Sequence, residues 1–181
     1  MARTQYYTAT SLDGFIATSE HSLDWLFSQQ QDENGPLNYG EFIADVGALA
    51  MGSTTYEWII DHEFQGKDRA EWKWPYDVPT WVLTHRDLML PPDADIRLVR
   101  DEVAPVHADM VEAAAGKNVW IVGGGELVGQ FADAGLLDDV IVYIAPVTLG
   151  SGAPLLPRHL ELAVQEVARN RDFVAVRYSV S

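Results

Sequence analysis

Three consecutive glycines stand where a phosphate site is simplest to build. Val119-Trp120-Ile121-Val122 reads as a strand, Gly123-Gly124-Gly125 as the turn after it, and Glu126-Leu127 as the opening of a helix. Glycines let a backbone approach a phosphate, and a new helix offers unpartnered N–H groups at its positive dipole end. A closely packed turn would use the same glycines, and the local sequence leaves both readings open. Met51-Gly52-Ser53-Thr54-Thr55-Tyr56 repeats the order strand, glycine, helix, with hydroxyls that either cap the helix or donate to a phosphate. Val82-Leu83-Thr84-His85-Arg86 ends a third strand on a hydroxyl and a cation. Arg86 is suited to a 2′-phosphate, or it is an ordinary solvated arginine.

Two familiar nucleotide signatures fit poorly. Gly123, Gly125 and Gly129 approximate a dinucleotide fingerprint. Such a fingerprint opens the first strand–helix unit and is followed by an acid ending the next strand about 20 residues on. Here the turn comes two-thirds along the chain, and Asp138 and Asp139 precede the next strand. No Gly-Lys-Ser/Thr follows the glycines, which excludes a P-loop.

Groups able to move a proton are few. Asp13 lies in a loop after the first strand and Asp24 opens a short helix; each is a candidate proton donor or substrate-anchoring carboxylate, and each has a local use as a turn or helix-start acid. Glu126 would compete with a pyrophosphate for the same N–H groups, so it is expected to point away or to bind a ribose hydroxyl. Among the tryptophans, Trp72 and Trp74 lie in an irregular stretch and are the candidates for stacking on a planar substrate or covering a dimer contact. The five histidines show no metal-ligand spacing, and no metal site is expected.

The elements that would position these groups alternate. Strands are expected at Tyr6–Thr10, Ala48–Met51, Thr80–Thr84, Ile96–Val99, Asn118–Val122 and Val140–Ala145. Tyr39, Phe42, Ile43 and Val46 fall at i, i+3, i+4 and i+7 of one helical stripe, with Gly47 ending it. Helices are also expected over Leu23–Gln30, after Gly52, along Val103–Ala114 and from the glycine turn to Ala134. The 62–79 stretch reads as a surface excursion. Leu162–Ala168 and Phe173–Val180 read as two strands joined at Asn170-Arg171-Asp172. One α/β domain over residues 1–181 follows: three αβα layers on a mostly parallel central sheet, closed by an antiparallel C-terminal hairpin.

Composition bounds the function. The chain has 181 residues, a formal charge of −15 and no cysteine. Such acidity argues against nucleic-acid binding, and a polyanionic cofactor must be gripped locally by backbone amides. Lack of cysteine removes disulfides and thiolate chemistry and accords with a reducing, cytoplasmic setting. Apolar runs fall far short of the ~20 residues that span a bilayer, and the first residues have no signal-peptide core.

In order, these segments resemble the dihydrofolate reductase superfamily, and within it the branch containing the reductase domain of the bifunctional riboflavin-biosynthesis deaminase-reductase. The likeness is carried by Ser11-Leu12-Asp13-Gly14-Phe15-Ile16-Ala17, Leu23-Asp24-Trp25, Met51-Gly52-Ser53-Thr54-Thr55-Tyr56-Glu57, Val82-Leu83-Thr84, Val122-Gly123-Gly124-Gly125-Glu126-Leu127, and Gly135-Leu136-Leu137-Asp138-Asp139 leading to Pro146-Val147-Thr148-Leu149-Gly150-Ser151-Gly152. The resemblance implies a dihydrofolate reductase-like fold, NADPH as hydride donor and a pterin-like or ribosylaminopyrimidine substrate. It implies that Gly52, Ser53, Thr54 and Thr55 line the adenosine-phosphate side. Thr84, His85 and Arg86 would hold the adenine ribose and its 2′-phosphate. Val122, Gly123, Gly124, Gly125, Glu126 and Leu127 would receive the pyrophosphate, and Ala9, Ile16 and Ala17 would lie near the nicotinamide. It further suggests a homodimer meeting through the hairpin or a sheet edge. Ser53 stands where dihydrofolate reductases often carry a basic residue, so choice of NADPH over NADH would rest on Arg86. Two classes remain open: a reductase using NADPH (a flavin or deazaflavin is a lesser variant), and a non-catalytic dinucleotide-binding regulator of the same fold.

Overall fold

The computed structural model describes all 181 residues. The chain runs β1 (Thr4–Thr10), β2 (Phe15–Ala17), α1 (Asp24–Phe27), α2 (Tyr39–Ala44), β3 (Val46–Gly52), α3 (Ser53–Phe64), β4 (Thr80–Leu83), β5 (Ile96–Val99), α4 (Val103–Ala113), β6 (Asn118–Gly123), α5 (Gly125–Asp133), β7 (Asp139–Ile144), β8 (Ala153–Pro154), β9 (Leu162–Asn170) and β10 (Phe173–Val180). Eight strands form one sheet in the order β5-β4-β3-β6-β1-β7-β10-β9, and β2 pairs with β8 beside it. From β5 to β7 every neighbour is parallel, while β7–β10 and β10–β9 are antiparallel. This is the three-layer, dihydrofolate reductase-like architecture expected from the sequence.

The central strands β3, β6 and β7 are apolar on both faces because both faces are covered. Alternate residues of β6 show the division. Val119 and Ile121 pack with Val106 and Met110 of α4 and Val128 and Phe131 of α5. Trp120 faces the other way, with Tyr56 and Ile59 of α3 and with Phe42 and Ile43 of α2. On that second face α1 lies farther along, its Trp25 and Leu26 against Tyr143, Ala145, Phe173 and Ala175. No helix is long and apolar enough to cross a membrane.

Several boundaries differ from the sequence expectation. Gly47 does not end a helix; it lies inside β3, where a side chain would collide with the backbone of Ala114. The stripe from Tyr39 therefore stops at Ala44, and Val46 belongs to the sheet. Asn38 starts α2 by accepting the Glu41 N–H at 2.9 Å, a cap worth about 1 kcal/mol. The helix expected over Leu23–Gln30 is a single turn, Asp24–Phe27. The excursion after α3 is tied down by its aromatics. Trp72 stacks on Phe64 at 5.2 Å between centroids, and the Trp74 indole N–H donates to the Thr80 hydroxyl at 3.1 Å. Trp72 and Trp74 are thus packed onto α3 and β4.

Candidate functional site

Because β1, β3, β4, β5, β6 and β7 run in one direction, their carboxyl ends share one edge. Register fixes who stands beside whom there: Met51 pairs with Gly123, and Gly52 with Leu83. The chain leaves β3 into α3 on one face, and leaves β6 into α5 on the other. Adjacent parallel strands whose helices diverge to opposite faces leave a crevice at their carboxyl ends, the usual ligand position in such sheets.

A second gap adjoins it. β1 pairs with β6 only from Thr4↔Val119 to Tyr6↔Ile121, whereas β1 and β7 stay paired to Thr10↔Ile144. Beyond Tyr6, the central strands β1 and β6 part. Ala9 and Val122 are half-buried as a result, although both lie in the middle of the sheet.

The glycine turn faces this opening without obstruction. A Cβ at Gly124 would meet nothing within 4 Å, and the Gly124 N–H donates to no group of the chain. Gly125 is different: a side chain there would strike the carbonyl oxygens of Pro154 and Leu155. So Gly125 is needed for packing, and Gly124 is needed for access or for nothing structural. Neither α3 nor α5 has a side-chain cap, since glycine is the residue before each. Their first N–H groups lack intrahelical partners and point at the crevice. The hydroxyls of Ser53, Thr54 and Thr55 bond to no other group of the chain, unlike their neighbours Tyr56 and Glu57. The two entrances are close: a Cβ on Gly52 would lie 3.9 Å from the Gly123 carbonyl oxygen, and one on Gly123 3.8 Å from the Thr55 hydroxyl.

The remaining expected residues fall into three groups. Thr84 is buried, and its hydroxyl accepts the Arg86 N–H at 3.0 Å, turning the chain so that His85 is exposed. The Arg86 guanidinium pairs with Glu57 of α3. Ile16 and Ala17 lie in β2, which β8 joins to the α5 entrance through Pro154 and Leu155. Leu127 is buried in the core, so only its backbone is offered to the crevice. Glu126 turns away: Arg158 binds it at 2.7 Å and Asp133 at 2.8 Å. The hydrogen bond from Arg158 holds the Glu126 carboxyl below its ordinary pKa.

Asp13 is occupied by the scaffold. Its carboxylate accepts the Ser11 hydroxyl at 2.7 Å, the Leu149 N–H at 3.0 Å and the Gly150 N–H at 2.7 Å. The Ser11 bond first, and the Leu149 amide next, bring its pKa down to about 2. These bonds make Asp13 a clasp between the loop after β1 and the loop after β7. Asp24 is exposed at the start of α1.

Sequence reasoning missed an aromatic bridge. Phe27 of α1 reaches across to α3, stacking on His62 at 5.6 Å and 14° and on Trp58 at 6.3 Å and 23°. Trp58 and His62, one helical turn apart, stack at 4.6 Å and 13°. The i, i+4 spacing of Trp58 and His62 was visible in the sequence; its partner on α1 was not.

The RibD C-terminal domain family matches residues 4–172. The chain belongs to that family. The uncharacterized protein YwjB of Bacillus subtilis is 30% identical over 155 residues, 84% of this chain and 82% of YwjB. The crystal structure of a putative riboflavin biosynthesis protein from Shewanella sp. PV-4 superposes with a TM-score of 0.81 at 26% identity, covering 100% of this chain and 99% of that one. A Thermotoga maritima diaminohydroxyphosphoribosylaminopyrimidine deaminase/5-amino-6-(5-phosphoribosylamino)uracil reductase shares the fold, with a TM-score of 0.66 at 15% identity. This chain spans 57% of that protein's length.

Proposed function

We propose that this RibD C-terminal domain is an oxidoreductase that holds NADPH along the carboxyl edge of its sheet and reduces a planar, pyrimidine- or pterin-like heterocycle. One observation carries the reading: two bare helix entrances, at Gly52-Ser53 and Gly124-Gly125, converge from opposite faces on an open crevice. Backbone amides and unengaged hydroxyls fit a pyrophosphate on a chain of charge −15, where a general electrostatic attraction is absent.

When bound, the nicotinamide supplies hydride to the substrate ring. The chain's own groups position and exclude. The α5 and α3 amides receive the pyrophosphate. Ala9, Ile16 and Ala17 are small or apolar and offer a dry wall for a nicotinamide. Asp13 positions that wall by binding the Leu149 and Gly150 amides. The proton for the reduced ring comes from Asp24 or from water.

Titrating the protein with NADPH while following tryptophan fluorescence tests the cofactor site. Saturable quenching is expected, and no binding at millimolar NADPH would overturn the proposal. A non-catalytic dinucleotide binder is the second reading, favoured by the engagement of Asp13. Steady NADPH oxidation with a pterin or aminopyrimidine would exclude it.

We further propose a homodimer formed through the β9 edge. Val164 and Val167 are each 61% exposed there, on a strand with one neighbour only. Such an edge is complementary to a second copy of itself. Sedimentation showing only a 20.1 kDa particle at micromolar concentration would refute it.

A further inference from the structure

We infer that the substrate of this site is a planar ring without a phosphate group, received beside the Phe27–Trp58–His62 bridge; the inference rests on the oxidoreductase reading above. The bridge has a definite place. α1 is anchored over Tyr143 and Phe173 through Trp25 and Leu26, and α3 over Leu49 and Met51 through Tyr56 and Ile59. The two helices flank the gap where β1 and β6 part. Phe27 crosses from one to the other, and at 59% exposure it leaves most of its surface available. The three rings are nearly parallel and mutually in contact, and the exposed Phe27 offers a flat apolar surface to one more ring.

Charge sets the second half of the inference. A phosphate held on a protein needs arginine, lysine or a helix N-terminus. The α3 and α5 entrances are already assigned to the cofactor. The helices that carry the rings hold the unpaired acids Asp24 and Asp61, and neither helix contributes a lysine or arginine. Arg86 is paired with Glu57, and Arg158 with Glu126 and Asp133. Arg171, at the β9–β10 turn, reaches Gln30 just after α1 and is not part of the aromatic bridge. A doubly charged phosphate would meet acids with no free cation on these helices and be repelled, while a neutral ring gains the stacking. The Thermotoga relative, by contrast, is named for a phosphoribosyl substrate.

A matched pair of probes tests this: 5-amino-6-ribosylaminouracil and its 5′-phosphate, titrated calorimetrically into the full chain with and without saturating NADP+, which binds the cofactor site but cannot deliver hydride. The unphosphorylated compound is expected to bind at least as tightly as the phosphate, with little dependence on salt. Phe27→Ala and His62→Ala, both at exposed positions, are expected to weaken it about tenfold while leaving NADPH affinity unchanged. Tighter binding of the phosphorylated probe, abolished by Arg171→Ala or not, would overturn the inference. So would failure of both probes to bind a protein that binds NADPH. Failure to bind NADPH as well would instead overturn the cofactor reading.

Discussion

The two edges of the same sheet are built on opposite principles. At the amino edge, where β1, β3, β6 and β7 begin, polar groups are closed against one another. Asp139, 1% exposed, binds Arg3 at 2.6 and 2.7 Å, Gln5 at 2.9 Å and Arg177 at 3.1 Å. Asp138 accepts the Thr4 N–H, Asn118 accepts the Arg3 N–H, and His107 bonds the Thr4 hydroxyl. At the carboxyl edge of β3 and β6 the Gly124 amide, the first amides of α3 and α5 and three hydroxyls are left for something outside the chain. Charged residues therefore mark the scaffold here, and small uncharged ones mark the site.

The largest effect should come from the closed edge. Burial alone would raise the Asp139 pKa; the bonds from Arg3 and Gln5 and the charge of Arg177 more than offset it, leaving it lowered. A pKa lower in the folded chain stabilises above the unfolded value and loses that contribution as pH falls through the folded one. Asp139→Ala strands two guanidinium groups and should cost about 3 kcal/mol, read from urea midpoints at neutral pH. NADPH affinity should stay as it was. A variant that folds normally but loses NADPH would break the division between the edges.

At the open edge the pattern should invert. Ser53→Asp puts a carboxylate at the first position of α3, where the helix dipole favours it by about 0.5 kcal/mol. Thermal stability should hold or rise slightly. NADPH affinity should fall about tenfold or more, equivalent to ~1.4 kcal/mol. Loss of stability with unchanged affinity would mean that the α3 entrance serves packing only.

Asp13 sharpens the boundary, because it lies on the open side yet is bonded like the closed one. Its pKa in the folded chain, about 2, is below the ordinary 3.8. Its contribution to stability is therefore complete above about pH 4–5 and disappears as pH falls toward the folded value. The melting-temperature difference between wild type and Asp13→Asn should be constant from pH 5 to 8 and shrink toward pH 2. In turnover, the variant should keep the neutral-pH limb of wild type. A limb near neutral pH that vanishes with Asp13→Asn would return Asp13 to the role of proton donor.

The sheet, its order of strand and helix and the terminal hairpin were legible because periodicity and glycine placement are local. The Gly123–Gly125 turn was legible for the same reason. What stayed hidden depends on partners distant in sequence. Asp13 looked like a loop acid because Leu149 and Gly150 lie far along the chain. Arg86 looked free because Glu57 belongs to another element. Trp72 and Trp74 drew notice by sitting in an irregular stretch, while Phe27, in an unassuming four-residue helix, is the aromatic that reaches the gap. The parting of β1 from β6 has no sequence signal, since it depends on how far each strand pairs with neighbours distant in the chain.

The smallest expected effect concerns two indoles on either side of that parting. Trp120 donates its N–H to the Tyr7 carbonyl at 3.2 Å. Trp25 has its indole N–H buried without any partner. Removing an unsatisfied buried donor gives back its desolvation cost of about 1–3 kcal/mol, which offsets the packing lost when an indole becomes a smaller ring. Trp25→Phe should thus shift the urea midpoint little, and Trp120→Phe should lower it clearly, since bond and packing go together. Equal losses in the two variants would show that the Trp25 N–H has a partner, such as a bound water. The α1 side of the gap would then be as closed as the amino edge.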